Sequence, residues 1–195
     1  MRSIPGSTLL LCALVAMFAV ELSKGAVGND SVLLALGALP DNGQLHGEYW
    51  RLVTFGFLHA NLTHILLNAV LLCLVAPVTE RRVGIAWLIA LFLGASVASG
   101  GCILIKHLIW PSPGTSVGAS GGLFGLLGAA LVLVSRRPSK TRRVRSALVV
   151  GAVLGFAYSV LPGVSMAGHI SGFIVGAIAA DLVPLVAPKA LDANA

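Results

Sequence analysis

The sequence predicts an all-α polytopic membrane protein, and three observations carry that fold class. Hydrophobic residues make up 57% of the 195-residue chain and charged ones only 10%, where a soluble domain has about 25% charged. The mean hydropathy is +0.95. The apolar residues fall into six helix-length runs, and the short loops between them hold nearly all the charge.

The first run, about 8–22, follows Arg2. It reads as a retained span, because no small-x-small cleavage site follows it. Leu11 before Cys12 is too large for a lipoprotein cleavage site. Residues 24–49 form a mixed loop whose apolar patch, 32–39, is too short to cross a bilayer and suits the interface. Trp50 and Arg51 suit the headgroup level. The second span, 58–78, carries His59, His64 and Asn68 and ends at Glu80-Arg81-Arg82. The third, 85–105, runs out at Lys106 and the loop residue His107. A Trp110-Pro111-Ser112-Pro113-Gly114 loop leads to the fourth, 117–135, which opens with Gly118-Ala119-Ser120-Gly121-Gly122. A basic loop follows. The fifth, 147–161, is short and ends at Pro162-Gly163, and the sixth spans 165–186. The whole reads as one membrane domain, 1–195.

Charge sets the expected orientation. Ten of the thirteen Lys and Arg residues (Arg2, Arg81, Arg82, the six from Arg136 to Arg145, and Lys189) fall on one side. The positive-inside rule puts that side, with both termini, in the cytoplasm. The net charge of +6 is therefore topological. No basic face alternates with stacking aromatics, so nucleic acid is not an expected partner. Cys12, Cys73 and Cys102 are scattered without CxxC spacing, which argues against a disulfide framework or zinc site and leaves them as packing residues. No metal or organic cofactor is expected.

The orientation supplies a geometric test. The second, fourth and sixth spans all begin on the outer side. Ser120 and His169 each lie a few residues into theirs, within roughly 5–10 Å of the boundary at 1.5 Å per residue. His59, His64 and Asn68 share that layer. Gly-x-Ser-x-Gly at 118–122 lacks the preceding strand of a soluble nucleophile elbow. Its meaning comes instead from depth, since five polar residues from three helices converge at one level. Singly, each has an ordinary explanation: a serine bonding back to its helix, an asparagine joining two helices, a histidine satisfied by a carbonyl. Together they are expensive to bury and mark a site.

Glycines at 118, 121, 122, 125 and 128, and a four-residue stripe at Gly168, Gly172, Gly176 and Ala180, let the fourth and sixth spans pack backbone to backbone. That approach brings Ser120 within reach of His169 as general base, and acyl transfer is the chemistry that fits. His64 and Asn68, at i and i+4, face one way as oxyanion donors, and the Ser120 amide adds a third. No Asp or Glu stands near His169, so a dyad is expected, with packing holding the imidazole. Phe124, one turn below Ser120, is placed to stack on that ring or else serves as core.

The sequence resembles the rhomboid intramembrane serine proteases over nearly its whole length. The matching pieces are Trp50-Arg51; His59-Ala60-Asn61-Leu62-Thr63-His64-Ile65-Leu66-Leu67-Asn68; Glu80-Arg81-Arg82-Val83-Gly84; Gly118-Ala119-Ser120-Gly121; and His169-Ile170-Ser171-Gly172-Phe173-Ile174-Val175-Gly176. The resemblance implies a six-helix rhomboid-like bundle with Ser120 as nucleophile and His169 as base. It implies His64, Asn68 and the Ser120 amide as the oxyanion site, and His59 falls on a further second-span histidine of the family that is structural or supports the site; Gly118, in the serine motif, is counted as site support. Glu80, Arg82, Trp50 and Arg51 would be architectural. Phe124 stands where some members carry tyrosine. Membrane-spanning protein substrates, cut near the outer face beside a small residue, follow from the resemblance. No seventh span and no mitochondrial-type presequence are visible, which favours a small bacterial-type form in the plasma membrane. The alternatives are a non-catalytic rhomboid-like protein that binds membrane clients, and a small transporter, for which the internal repeat is missing. Nothing in the sequence sets an oligomeric state.

Overall fold

The computed structural model describes residues 4–111, 114–136 and 141–183. Arg2, Ser112, Pro113, Arg137, Lys140, Lys189 and the expected end of the last span at Val186 lie outside the described residues.

Within them the chain is all helical: α1 (Gly6–Ser23), α2 (Asp30–Leu36), α3 (Arg51–Thr54) with a 3₁₀ turn at Phe55–Phe57, α4 (Leu62–Ile109), α5 (Ser120–Ser135), α6 (Arg142–Tyr158) and α7 (Met166–Leu182). By length and composition α1 and α4 can cross a membrane. Helices α5 and α7 are apolar but shorter, at 16 and 17 residues.

Helix α4 is 48 residues long. Straight, it would extend about 72 Å, more than twice the ~30 Å hydrocarbon core. It is broken at Gly84 (φ 81, ψ 172), a conformation open essentially to glycine alone. The chain reverses there, since His64 near one end and Ile103 near the other line the same cavity. The arms 62–83 and 85–109 correspond to the second and third sequence runs.

Helix boundaries depart from the apolar runs for local reasons. The arm expected from 58 starts at Leu62, because Asn61 is extended and its side chain accepts the His64 amide at 2.9 Å. His59 therefore precedes the helix instead of riding on it. The fourth run starts its helix at Ser120, not 117, because Gly118 has φ 131. Helix α6 is shifted towards the basic loop, 142–158 against 147–161. His107, expected in a loop, lies in the last turn of α4, buried, with Nδ1 3.3 Å from the Pro40 carbonyl oxygen.

Helix α5 is central. Its residues from Gly121 to Ala130 are all buried, and it packs most extensively on α7 and α4. Glycine makes the approach possible. A Cβ at Gly172 would strike the carbonyl of Gly121, and one at Gly176 the carbonyl of Gly125. On the other flank, Gly121 and Gly122 receive Ser99, Ser96 and Phe92 of α4, and Gly125 receives Ala95. The stripe thus serves two neighbours. With no water to drive association in a bilayer, such close dispersion contact supplies the helix–helix adhesion.

Charged side chains cap helix ends away from Ser120. The Glu80 carboxylate accepts the Gly6 and Ser7 amides at 2.6 and 2.9 Å, where the positive end of the α1 dipole sits. Arg82 donates to the Leu133 carbonyl at 2.9 Å, and Arg136 to the Ala180 carbonyl and Asp181 carboxylate at 3.1 and 2.6 Å. Arg51 closes α2 by donating to the Leu34 and Ala38 carbonyls, while its guanidinium lies over Trp50.

Gly176→Ala is expected to lower stability by about 1–3 kcal/mol through overpacking against the Gly125 backbone. Gly94→Ala, at an exposed position with open space around it, should be neutral or slightly stabilising. Thermal unfolding of the two variants in one detergent checks the contrast.

Candidate active site

Ser120 is the first residue of α5, carried there by a segment that the loops hold from several sides. Ser116 and Leu39 exchange backbone hydrogen bonds at 3.0 Å. The Gly118 amide donates to the Phe55 carbonyl at 2.9 Å, and the Thr115 hydroxyl to the Asp30 carboxylate at 2.9 Å. Gly118 is required twice over. Its φ of 131 disfavours any side chain, and a Cβ would stand 2.6 and 2.7 Å from Cε1 and Nε2 of His64. The tight turn therefore brings the His64 ring alongside the backbone leading into Ser120.

His169 lies in the first turn of α7, whose start is capped by the Ser165 hydroxyl accepting the Gly168 amide at 3.2 Å. Its Nε2 is 2.7 Å from Ser120 Oγ. Its Nδ1 is 2.5 Å from Ser159 Oγ. The Phe124 ring stacks on the imidazole at 4.2 Å between centroids and 7° between planes. Phe124 is itself backed by Phe156 edge-on and by the bare Gly155 of α6.

Asn68 is 4% exposed, and its Nδ2 has no hydrogen-bond partner among the described residues. Asn68, His64, Gly118, Ser120, Phe124 and His169 all line one cavity of about 810 Å³. Its lining includes the apolar Leu67 and Leu71 of α4 and Val150 and Leu154 of α6, of which Leu67, Val150 and Leu154 are exposed. Six of the seven residues singled out in the sequence thus meet around one space. His59 does not. It is fully buried behind His64, meeting that ring edge-on at 5.2 Å and Phe18 at 6.4 Å.

Two residues escaped the sequence reasoning. Ser159, at the end of α6 and 3% exposed, touches the imidazole that was expected to be held by packing alone. The depth argument that grouped the other polar residues applies to it equally, since the charge pattern puts that end of the fifth run at the level expected for Ser120 and His169. The other is Glu21, which is completely buried in α1 and accepts the His59 amide at 3.0 Å. Its signal was a carboxylate within an apolar run.

A rhomboid domain matches residues 46–184, which include every one of these site residues except Glu21. The chain belongs to the rhomboid family. It is 34% identical over 191 residues to the rhomboid protease GluP of Bacillus subtilis, covering 95% of this chain and 36% of that protein. It is 32% identical over 161 residues to rhomboid-like protease 3 of Toxoplasma gondii (80% and 59%) and 29% identical over 177 residues to the rhomboid protease GlpG of Yersinia enterocolitica (88% and 61%). The chain thus spans between about a third and three fifths of the length of these three relatives. Rhomboid membership makes the helical assembly a polytopic membrane bundle, and the helices of this rhomboid that lie before residue 46 are α1 and α2.

Gly118→Ala is expected to displace the His64 ring and cut labelling of Ser120 by a fluorophosphonate at least about tenfold, the loss of one well-placed donor. Gly47→Ala, also at positive φ but with nothing within 4 Å, should label like the unsubstituted protein.

Proposed function

We propose that this rhomboid is an intramembrane serine endopeptidase that cleaves membrane-spanning proteins with a Ser120–His169 dyad. The observation that carries the reading is the 2.7 Å contact between Ser120 Oγ and His169 Nε2 at the wall of an apolar-sided cavity. The distance lies within the hydrogen-bond range that a nucleophile and its base require.

The bundle then crosses the bilayer six times, as one membrane unit, by α1, the two arms of α4, α5, α6 and α7. The excess of Lys and Arg on alternate loops puts both termini in the cytoplasm and Ser120 near the outer face. A bacterial plasma membrane fits this layout.

In the reaction, Ser120 Oγ attacks the scissile carbonyl while His169 Nε2 takes its proton. The charge that develops on the carbonyl oxygen meets the His64 ring, the free Nδ2 of Asn68 and the Ser120 amide. That amide is one of the first in its helix and lacks an intrahelical carbonyl. His169 returns the proton to the leaving amine, and water then releases the acyl-serine. The donors are fixed before substrate arrives, because Gly118 and the α4 arm hold them. A peptide bond inside an intact helix is shielded from such attack, so substrates whose spans unwind near a Gly or Pro are favoured. The apolar opening between α4 and α6 gives a span lying in the lipid a route to the dyad. Helix α6 is its movable side, being less extensively packed on α5 than α4 or α7 is.

The test uses protein reconstituted with a model transmembrane substrate and a fluorophosphonate. Ser120→Ala and His169→Ala should abolish cleavage, and His64→Ala and Asn68→Ala should each lower the rate by about 10²–10³. Absence of both labelling and cleavage in the unsubstituted protein, or undiminished cleavage by Ser120→Ala, sinks the reading.

A further inference from the structure

We propose that Ser159 is a positioning residue that sets the tautomer and orientation of His169, filling at the end of α6 the place a carboxylate holds in a catalytic triad. The proposal rests on the dyad reading above and extends it to a residue outside the α5–α7 pair.

The argument is a count of protons. Ser159 Oγ lies 2.7 Å from the Gly155 carbonyl oxygen and 2.5 Å from His169 Nδ1. A carbonyl oxygen only accepts, and a hydroxyl has one proton to give. Two oxygens at 2.7 Å need that proton between them, so Ser159 donates to Gly155. The hydroxyl is then left only with lone pairs for the imidazole, and His169 must donate Nδ1–H to it. A neutral imidazole has one N–H. Its Nε2 therefore presents a lone pair to Ser120 Oγ, which is the form able to remove the Ser120 proton. In the opposite tautomer Nε2 would carry hydrogen and be unable to accept that proton.

Placement supports this. Ser159 is 3% exposed and His169 is 5% exposed, so water does not compete freely for either side of the contact. The bond to Gly155 is the i to i−4 bond that serine commonly makes at a helix end, which holds Oγ in one rotamer. Phe124 fixes the plane of the ring, and Ser159 fixes which edge faces Ser120. Stacking alone leaves the ring free to turn over about its own axis. When His169 takes the proton, both of its nitrogens donate, and the Nδ1–H bond to Ser159 becomes charge-assisted.

Three measurements decide it. In NMR of histidine-labelled protein at a pH where the imidazole is neutral, with His169 assigned by its loss in His169→Ala, the unsubstituted protein should show protonated Nδ1 and bare Nε2. Ser159→Ala should lose this preference and fall in kcat by about 10–100-fold, the range for a hydrogen bond to a charged group, with KM unchanged. Ser159→Thr keeps the hydroxyl and should restore most of the rate. Thermal unfolding of each variant accompanies the assay. If Ser159→Ala or Ser159→Thr does not fold, the tautomer of the unsubstituted protein decides alone. An Nε2–H tautomer there, or full activity and an unchanged tautomer in Ser159→Ala, overturns the proposal. An unsubstituted protein that neither labels nor cleaves removes the protease reading instead, while the imidazole spectrum still reports on Ser159.

Discussion

Everything at this site depends on how closely α7 approaches α5. Gly172 and Gly176 lie against the carbonyls of Gly121 and Gly125 with no room for a methyl group between them. That backbone contact is what lets two side chains as short as those of Ser120 and His169 meet at 2.7 Å from separate helices. The same glycine-rich face of α5 accepts the side chains of α4 on its other flank, so one helix sets the distances to both neighbours. In a medium where apolar surfaces gain nothing by leaving water, the closeness of the fit is the cohesive force. Adhesion and site geometry are therefore one requirement.

Around that contact the chain arranges supports of different kinds. Gly84 breaks a helix far too long for one crossing and turns the two α4 arms back on each other. As a result His64 and Asn68, on one arm, share a cavity with Ser99 and Ile103 on the other. Gly118 turns the chain into α5 and admits the His64 ring. Away from the serine, Glu80, Arg82 and Arg136 satisfy helix ends that would otherwise be bare. Four charged residues, Arg51, Glu80, Arg82 and Arg136, thus close helix ends, while Ser120, His64, Asn68 and His169 gather at the cavity. Helix α6 stands between these functions. It forms one wall of the cavity, backs Phe124, and ends in Ser159 against the imidazole, so one helix bears on both the cavity and the ring.

How much of this was legible depended on what each sequence signal measures. Apolar runs report which residues can sit in lipid, and they found six segments whose order the helices follow. They do not report hydrogen bonding, which decides where a helix starts. Asn61 as a cap and Gly118 at positive φ moved two helix starts inward by three or four residues and left His59 outside α4. Depth within the membrane drew attention to Ser120, His64, Asn68 and His169, because a polar residue in an apolar run stands out. Ser159 and Glu21 sit at the margins of their runs, where a polar residue stands out less, although depth for the one and a carboxylate inside an apolar run for the other were signals that could have found them. The stacking of Phe124 is a matter of side-chain direction across helices, which helical spacing suggests and packing determines.

The central claim is that close packing of α5 and α7, rather than the mere presence of the two residues, makes Ser120 reactive. Gly172→Ala leaves Ser120, His169, His64, Asn68 and Ser159 in the chain and adds one methyl group where Gly121 lies. The rate of fluorophosphonate labelling at Ser120, measured on a variant whose helical circular dichroism is unchanged, should fall at least about tenfold, since each 1.4 kcal/mol of lost alignment is a factor of ten. Labelling at the unsubstituted rate would contradict the account.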